Sequence, residues 1–533
     1  MSRRLLIPAL VVLIVAGLAP LAVMGMRVVF EPSAFQTLTE PGTLSLLGRT
    51  VKLGLGAAGI GVLLGVPYGW LTARTDLPGA GVLRGMGLLP FLMPPLFLGL
   101  TWVALINEWL VDHEWLSIVQ GAPLTIMLMG LSFFPLVALF TARAAESIDA
   151  GQEEAALLAG GKRAVLAMEL PLVLPSIAAG ACFAFVFAIH DFALPDYVSS
   201  KGPKFNVFAD QAFASWRIDK NAARAVASST PLVALTLIAL IPALLLRRRG
   251  ARSTMSSNFR APDRLRLGKW RWAGLLFCLF AFTMGAGVPL ARLVWNAGGG
   301  QVAWSFGHLQ ESFTRALTLA REALINSVSY AAVAATLAVP LALILGHCIA
   351  RARRGWLLLV AVVVPISVPA ILYGIGTISL WNHSGVLVVS GKDLLMRFYA
   401  SGGIVVLILI GRYLTFPTLV CEHAVSNVDP QLEESSLLAG AGPITRLFRV
   451  VAPAIKPSLV GSWVLMFVLT MRELDAAVLV PAANNTVMYR IFNMAHFGRV
   501  DSVAALALIS LFVVVLPGLL WSLFVGRKLE VLP

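Results

Sequence analysis

Two acidic loops of this chain share a residue pattern that suits contact with another molecule. Each reads Glu-Glu, two further residues, then Leu-Leu-Ala-Gly, and the two copies stand 280 positions apart. The spacing favours a short amphipathic helix that presents carboxylates, and the glycine suits a turn that ends it. A single loop of this kind could simply connect two helices, but a repeated one indicates two similar docking partners. The matched positions are Glu153 and Glu433, Glu154 and Glu434, Leu157 and Leu437, Leu158 and Leu438, Ala159 and Ala439, and Gly160 and Gly440.

The sequence lacks the residue spacings that catalysis or metal binding requires. A phosphate-binding loop needs Gly-x-x-x-x-Gly-Lys followed by Ser or Thr. The nearest segment has Arg163 at that last position and Ala156 where the first glycine belongs. The seven histidines form no His-x-x-x-His pair, and the four scattered cysteines read as small apolar residues. We therefore predict that the chain is not an enzyme, has no catalytic residues, holds no metal and binds no cofactor.

Six ionisable residues fall within or at the ends of apolar segments, where a charge is costly. Three belong to one Arg-Glu-Leu-Asp stretch, and two stand at the corresponding place 282 positions earlier. They could pair with one another between helices, or they could line a polar pathway between the helices or its gate, and both interpretations stay open. The six are His190, Asp191, Arg412, Arg472, Glu473 and Asp475.

The composition excludes an ordinary soluble protein. Hydrophobic residues make up 58% of the 533 residues and charged residues only 13%, whereas soluble domains carry about a quarter charged residues. A membrane helix needs about 20 mainly apolar residues, so a chain of this length can hold about a dozen. The net charge of +14 then reflects Lys and Arg in cytoplasmic loops and contact with the lipid bilayer, and we expect no nucleic acid partner.

Apolar windows predict an all-α polytopic membrane protein with about twelve spans. Lys and Arg crowd the loop between 247 and 271, and the other basic loops agree with both termini on the cytoplasmic side of the membrane. The first apolar run follows Arg3 and Arg4 but shows no cleavage site, so we expect a retained helix rather than a signal peptide. The predicted spans lie near 5–26, 50–73, 85–106, 122–142, 172–190, 226–246, 273–295, 324–350, 356–381, 402–421, 459–480 and 502–525.

The spans form two sets of six with matching sequence. Arg49-Thr50 corresponds to Asn326-Ser327, and Phe134-Pro135 corresponds to Phe416-Pro417. Because six is even, both copies enter the membrane in the same direction and form parallel repeats. The predicted divisions are an N-terminal helix and loop at 1–44, repeat 1 at 45–246, a basic linker at 247–272, a helix and loop at 273–319, repeat 2 at 320–525 and a tail at 526–533.

The repeated loops resemble the Glu-Ala-Ala loop of permeases in binding-protein-dependent ABC importers. The resemblance covers about 45–246 and 320–525. The stretches Asp-Phe-Ala-Leu-Pro-Asp-Tyr and Arg-Glu-Leu-Asp-Ala-Ala-Val-Leu-Val look most like ferric-iron permeases with two fused repeats, and thiamine, polyamine, phosphonate and sulfate permeases are relatives. The matching residues are Glu154, Ala155, Ala156 and Gly160 in the first loop and Glu434, Gly440 and Pro453 in the second, where Ser435 and Ser436 replace the alanines.

This resemblance implies the fold of a type I ABC importer permease and a location in a bacterial inner membrane. Each loop would be a coupling helix that docks on a homodimeric cytoplasmic ATPase, which binds ATP and Mg²⁺, while a periplasmic binding protein delivers the substrate. An ion-driven secondary transporter is a rival that explains the spans but not the paired acidic loops. A membrane-embedded enzyme is a second rival, but it would need a cluster of acid–base groups, which the sequence does not show. The residues expected to dock are Glu153, Glu154, Ala155 and Gly160 in the first loop and Glu433, Glu434 and Gly440 in the second.

Overall fold

The described part of the chain is built from helices. The computed structural model describes residues 3–110, 113–217, 222–250, 260, 262–300, 303–383, 402–476, 485–498 and 500–525. No β-strand occurs in these ranges, and one isolated bridge joins Thr75 to Leu265. The predicted tail at 526–533, part of the predicted linker and the end of the predicted span at 459–480 lie outside the described residues.

Twenty-four α-helices follow one another along these ranges. Those before the linker are α1 (Arg3–Val12), α2 (Ala19–Phe30), α3 (Thr43–Arg74), α4 (Ala80–Met86), α5 (Leu89–Leu92), α6 (Pro95–Leu110), α7 (Ala122–Glu146), α8 (Ala150–His190), α9 (Ala193–Lys201), α10 (Phe208–Arg217) and α11 (Ala222–Gly250). Those after it are α12 (Trp270–Phe282), α13 (Val288–Ala297), α14 (Phe306–Arg351), α15 (Gly355–Val363), α16 (Ala370–His383), α17 (Gly403–Tyr413), α18 (Thr415–Ser426), α19 (Pro430–Leu438), α20 (Pro443–Thr445), α21 (Ala452–Ala454), α22 (Lys456–Met471), α23 (Val487–His496) and α24 (Val500–Val525). Short 3₁₀ or π turns occur at Leu13–Leu18, Pro32–Thr39, Glu114–Val119, Thr283–Gly287, Val364–Ser367 and Arg446–Val451.

The described helices confirm the all-α polytopic membrane fold. Eight are long and apolar enough to cross a membrane, and twelve spans result if each of four bent helix pairs counts as one. The bends are sharp, at 87° within 80–109 and 101° within 355–381. Proline ends or restarts the helices around these breaks, because it cannot donate a backbone hydrogen bond and clashes with the preceding turn. The broken spans therefore follow from the Pro-rich stretches at matched places in the two repeats.

The helices group into two compact units, which do not follow chain order. One comprises Met1–Glu40, Ala212–Thr230 and Ala297–Pro533, and the other comprises Pro41–Gln211 and Pro231–Asn296. In the first unit, α1 contacts α14 and α2 contacts α16. In the second unit, α12 contacts α3 and α4. The extra first helix of each half therefore packs with the repeat of the other half, and the division of the chain by sequence stays a prediction.

The packing of α3 against α7 depends on residues without side chains. A Cβ atom added to Gly69 would lie 2.2 Å from the carbonyl oxygen of Ala138, and one added to Gly65 would lie 2.7 Å from that of Phe134. At Gly61 the same atom would make only ordinary contacts, the nearest at 3.5 Å. Small residues at such positions let two helix backbones approach closely in a membrane. The backbones of α3 and α7 therefore approach each other most closely at Gly69, one turn after the Gly61-x-x-x-Gly65 pair.

A bulky side chain at this crossing should destabilise the unit. We expect Gly69→Leu to lower its stability by about 3 kcal/mol or more, because the backbone of α7 cannot yield the space. The measurement is thermal unfolding of the purified chain in detergent, with size-exclusion chromatography to detect aggregation. Gly59→Leu is the matched control, since its added Cβ meets nothing within 4 Å. Equal melting temperatures for the two variants would contradict the packing described.

Candidate docking site in the two repeated loops

Each repeated loop begins with an aspartate that caps a helix. The Asp149 carboxylate accepts a hydrogen bond from the Gly151 amide at 2.8 Å, just before α8. The Asp429 carboxylate accepts one from the Gln431 amide at 2.9 Å, just before α19. Such a cap satisfies a backbone donor that the first helical turn leaves unpaired. Sequence reasoning missed this pair, although aspartate directly before the helical pattern is an ordinary start signal.

Each loop helix ends at a glycine that must adopt a left-handed backbone. In the second loop this residue is Gly440, with φ of 81°. In the first loop it is Gly161, with φ of 67°, at a kink inside α8. The prediction of Gly160 as the turn residue is corrected by one position, because its φ of −165° is extended backbone that other residues adopt. The turn can move by one residue in the first loop because Gly161 follows Gly160 directly, whereas Ala441 follows Gly440 in the second.

The two loop helices expose the same positions. Residues 151–160 and 431–440 correspond at the 280-residue offset. At each of these ten positions, the two loops have a side chain that is equally exposed or half-buried. Only the first glutamate and the residue three positions later are half-buried. Leu158 and Leu438 are each 89% exposed, which is unusual for large apolar side chains. Because two copies with different neighbours reach the same exposure, the repeated sequence pattern itself sets which side chains face outward.

The first loop is held by a buried arginine at the end of α3. Arg74 lies 2.6 Å from a carboxylate oxygen of Glu153 and 3.0 Å from one of Glu169, and its side chain is 2% exposed. A buried charge is tolerated only when it is paired and hydrogen-bonded. Glu153 therefore faces the membrane helices and positions the loop, whereas Glu154 beside it is 63% exposed. The sequence had assigned the same docking role to both.

The second loop is held by the equivalent arginine at the end of α14. Arg351 donates from Nε to the Glu433 carboxylate at 2.9 Å and from a terminal nitrogen to the Val428 carbonyl at 2.7 Å. His347, one turn earlier on the same helix, has Nε2 2.7 Å from the other oxygen of Glu433. Glu433 is thus a positioning residue like its counterpart, and Glu434 is exposed.

The pKa values of two loop carboxylates, Glu433 and the capping Asp149, are lowered by their surroundings. Burial raises the pKa of Glu433, but hydrogen bonds and charges from His347 and Arg351 outweigh this and leave the pKa below its usual value. Backbone amides of Arg260 and Gly151 likewise lower the pKa of Asp149. A lowered pKa means that the deprotonated group stabilises the fold at neutral pH and loses this effect only as the pH falls through the lowered value.

Two of the six polar residues predicted in the spans meet in the second repeat. Arg412 and Glu473 form an ion pair at 3.6 Å, and the hydroxyl of Tyr413 donates to Glu473. Arg412 also donates to the carbonyl of Val368 at 2.9 Å, where the broken span between 355 and 381 leaves that oxygen free. The interpretation that these residues pair with one another between helices therefore accounts for Arg412 and Glu473. A cavity of about 10 Å³, room for one water molecule, adjoins Glu473.

The other four residues lie near the ends of the fifth span of each repeat. Asp191 accepts from the Leu194 amide at 3.0 Å, as Glu473 accepts from the Ala476 amide at 2.8 Å. His190 contacts the Thr236 hydroxyl at 2.8 Å. Arg472 and Asp475 are half-buried in the turn after α22, and a pathway role for any of these residues stays a prediction. Within the described ranges, no three His, Cys, Asp or Glu residues are grouped as a metal site would require.

Comparisons with known proteins agree on one kind of membrane component. A family model described as "Binding-protein-dependent transport system inner membrane component" matches residues 65–253. The molybdenum transport system permease protein ModB of Escherichia coli (strain K12) is 33% identical over 159 residues, which are 27% of this chain and 68% of ModB. The ferric transport system permease protein FbpB of Actinobacillus pleuropneumoniae is 23% identical over 465 residues, 80% of this chain and 63% of FbpB. The molybdate/tungstate permease protein WtpB of Thermococcus kodakarensis is 26% identical over 163 residues, 29% of this chain and 61% of WtpB.

The left-handed glycines should be necessary for the shape of the loops. We expect Gly440→Ala to speed amide hydrogen exchange in α19 about tenfold, because a side chain in this conformation costs about 1–2 kcal/mol. Gly161→Ala should do the same for the helix that begins at Ala150. Gly442→Ala is the control, since this residue has a φ of −67° and open space around its Cβ position. Equal exchange in the Gly440 and Gly442 variants would show that the turn does not depend on glycine.

Proposed function

Because the chain belongs to the family of inner membrane components of binding-protein-dependent transport systems, we propose that its two repeated loops are coupling helices for cytoplasmic ATPase subunits. The chain is the permease subunit of an ABC importer. One observation carries the proposal: both loops repeat an aspartate cap, an arginine-held glutamate, a left-handed glycine and the same exposed face. Two loops with the same backbone design and the same exposed positions suit a partner that presents two equal grooves.

The exposed face of each loop has the chemistry of a docking site. A leucine that is 89% exposed stands one turn after a glutamate in each copy. An apolar knob with a polar rim is typical of the centre of a protein interface. The acidic residues add charge complementarity, which steers a partner with basic side chains into place. Leu158 and Leu438 are therefore the contacts that we expect to contribute most to binding.

The arginine anchors explain how docking could move the membrane helices. Each one joins a loop to the end of a long span, α3 in the first repeat and α14 in the second. A force on the loop would pass through an ion pair directly to that span instead of bending a loose connection. Closing of an ATPase dimer could thus shift the spans as rigid bodies and alternate access to the substrate path.

The location of the loops follows from the charge distribution. Family membership places the chain in the inner membrane. With Lys and Arg retained in cytoplasmic loops, both termini and both repeated loops face the cytoplasm, where ATP and Mg²⁺ bind to the ATPase and no cofactor binds to this chain. A periplasmic binding protein delivers the substrate on the opposite side.

The proposed substrate is ferric iron. The FbpB protein, named as a ferric transport permease, aligns over 80% of this chain and so extends across both repeats. The molybdenum and tungstate permeases align over only 27% and 29% of it. The identity to ModB is higher, at 33%, which makes molybdate the second candidate. Thiamine, polyamine, phosphonate and sulfate remain alternatives from the sequence resemblance.

Removing the exposed leucines should release the ATPase. We expect the double variant Leu158→Ala and Leu438→Ala to retain less than about a tenth of the ATPase that copurifies with the tagged wild-type chain, since central apolar contacts dominate interface energy. Ile118→Ala is the control, because this residue is 77% exposed but lies between α6 and α7, on the predicted opposite side. Undiminished ATPase in the double variant would contradict the coupling-helix role. If no ATPase copurifies with wild type and the chain alone transports along an ion gradient, the secondary transporter is correct.

Uptake measurements distinguish the two leading substrates. Deleting the chain from its host should abolish uptake of radioactive iron supplied as a ferric chelate and leave molybdate uptake unchanged. Restoring the intact chain should recover iron uptake, and the leucine double variant should not. Loss of molybdate uptake alone would replace iron by molybdate without affecting the ATPase assignment.

A further inference from the structure

The linker between the two halves is attached to the first docking loop. The Arg260 amide donates to the Asp149 carboxylate at 2.9 Å, and the Ala150 amide donates to the Arg260 carbonyl at 2.9 Å. Both polar groups of the Arg260 backbone are thereby bonded to the start of the loop helix. The position of this residue is therefore fixed by the fold.

The same stretch of linker is tied to the end of α3. The Leu265 amide donates to the Arg74 carbonyl at 2.7 Å, and the Leu267 amide donates to the Asp76 carboxylate at 2.8 Å. The loop helix, the linker and the anchoring arginine thus form one connected network. Backbone hydrogen bonds therefore hold Arg260, Leu265 and Leu267 of the linker in place.

The Arg260 guanidinium forms an ion pair with Glu154. Glu154 is the exposed glutamate of the first loop and the counterpart of Glu434 in the second. A free ion pair between exposed side chains is weak because water and side-chain entropy oppose it. Here the backbone hydrogen bonds of Arg260 hold its Cα beside the loop helix, so the guanidinium stays within reach of Glu154. A positive charge of this chain therefore lies beside the Glu154 carboxylate.

The second loop lacks this arrangement within the described residues. The carboxylate that caps it, Asp429, bonds to an amide of its own helix. Glu434 has no ion-pair partner within 4 Å among the residues that the structure describes, and it borders an open cleft of about 240 Å³ together with Leu437 and Arg446. The two loops therefore share a backbone design but present different charge to a partner.

We propose that the two docking surfaces are unequal, with Arg260 masking Glu154 so that the ATPase engages the carboxylate of Glu434 directly and that of Glu154 only after Arg260 is displaced. This inference rests on the proposed function, because it assigns unequal charge to the two coupling helices. A homodimeric ATPase would present the same basic groove to both loops, so the difference in affinity comes from this chain.

The test measures binding of the copurifying ATPase, separated and titrated back onto the full-length chain. We expect Arg260→Ala to strengthen binding about threefold, as unmasking one carboxylate for a basic groove should, and to make binding more sensitive to salt. Glu434→Ala should weaken binding by about the same factor, and Glu154→Ala should change it less than twofold. Arg264→Ala is the matched control, an exposed arginine of the same linker, and should leave binding unchanged.

The double variant Arg260→Ala with Glu154→Ala identifies the cause. If Arg260 acts by masking Glu154, the gain from its removal vanishes once Glu154 is also absent. Weaker binding in Arg260→Ala, or equal losses in Glu154→Ala and Glu434→Ala, would overturn the inference while leaving the coupling-helix role intact. Absence of any ATPase on the wild-type chain would instead refute the proposed function on which the inference rests.

Discussion

An arginine at the end of a long span is the contact on which each repeated loop depends. Arg74 is buried and Arg351 is half-buried where they meet the first glutamate of each acidic pair. Desolvation makes a buried pair such as that of Arg74 only weakly stabilising, but removing one partner leaves a buried charge uncompensated and costs about 3–5 kcal/mol. The pair therefore fixes geometry more than it adds stability. It divides the two neighbouring glutamates into one that holds the loop and one that is exposed.

The two repeats keep this contact and differ in what surrounds it. Arg74 shares its charge between two carboxylates, whereas Glu433 shares its charge between Arg351 and His347. A second matched contact involves hydroxyl groups. The Thr50 hydroxyl accepts a hydrogen bond from the first amide of α10 at 3.0 Å, and the Ser327 hydroxyl accepts one from the first amide of α23 at 2.8 Å. Contacts that orient backbone segments have thus been retained in both copies.

Charges that only one repeat carries show where the copies have diverged. Arg412 stands where the first repeat has Gly130, so the ion pair with Glu473 exists only in the second. Arg260 belongs to the linker and neutralises a residue of the first loop alone. A fused chain can make its two halves differ in this way, whereas two identical subunits could not. The duplication therefore permits one of the two loops to change its charge without changing the other.

The sequence by itself determined the helical membrane fold, the duplication and the exposed faces of the two loops. Apolar segments of sufficient length have no stable alternative in a bilayer, and a motif repeated at one offset predicts the same local structure twice. Only the tertiary structure decided that Glu153 and Glu433 turn inward, because their partners Arg74 and Arg351 are about 80 residues away in the chain. It also moved the turn glycine from Gly160 to Gly161, since backbone angles depend on how the next span leaves the loop. Local pattern sets which elements form, but ion pairs between distant residues exist only once those elements have packed.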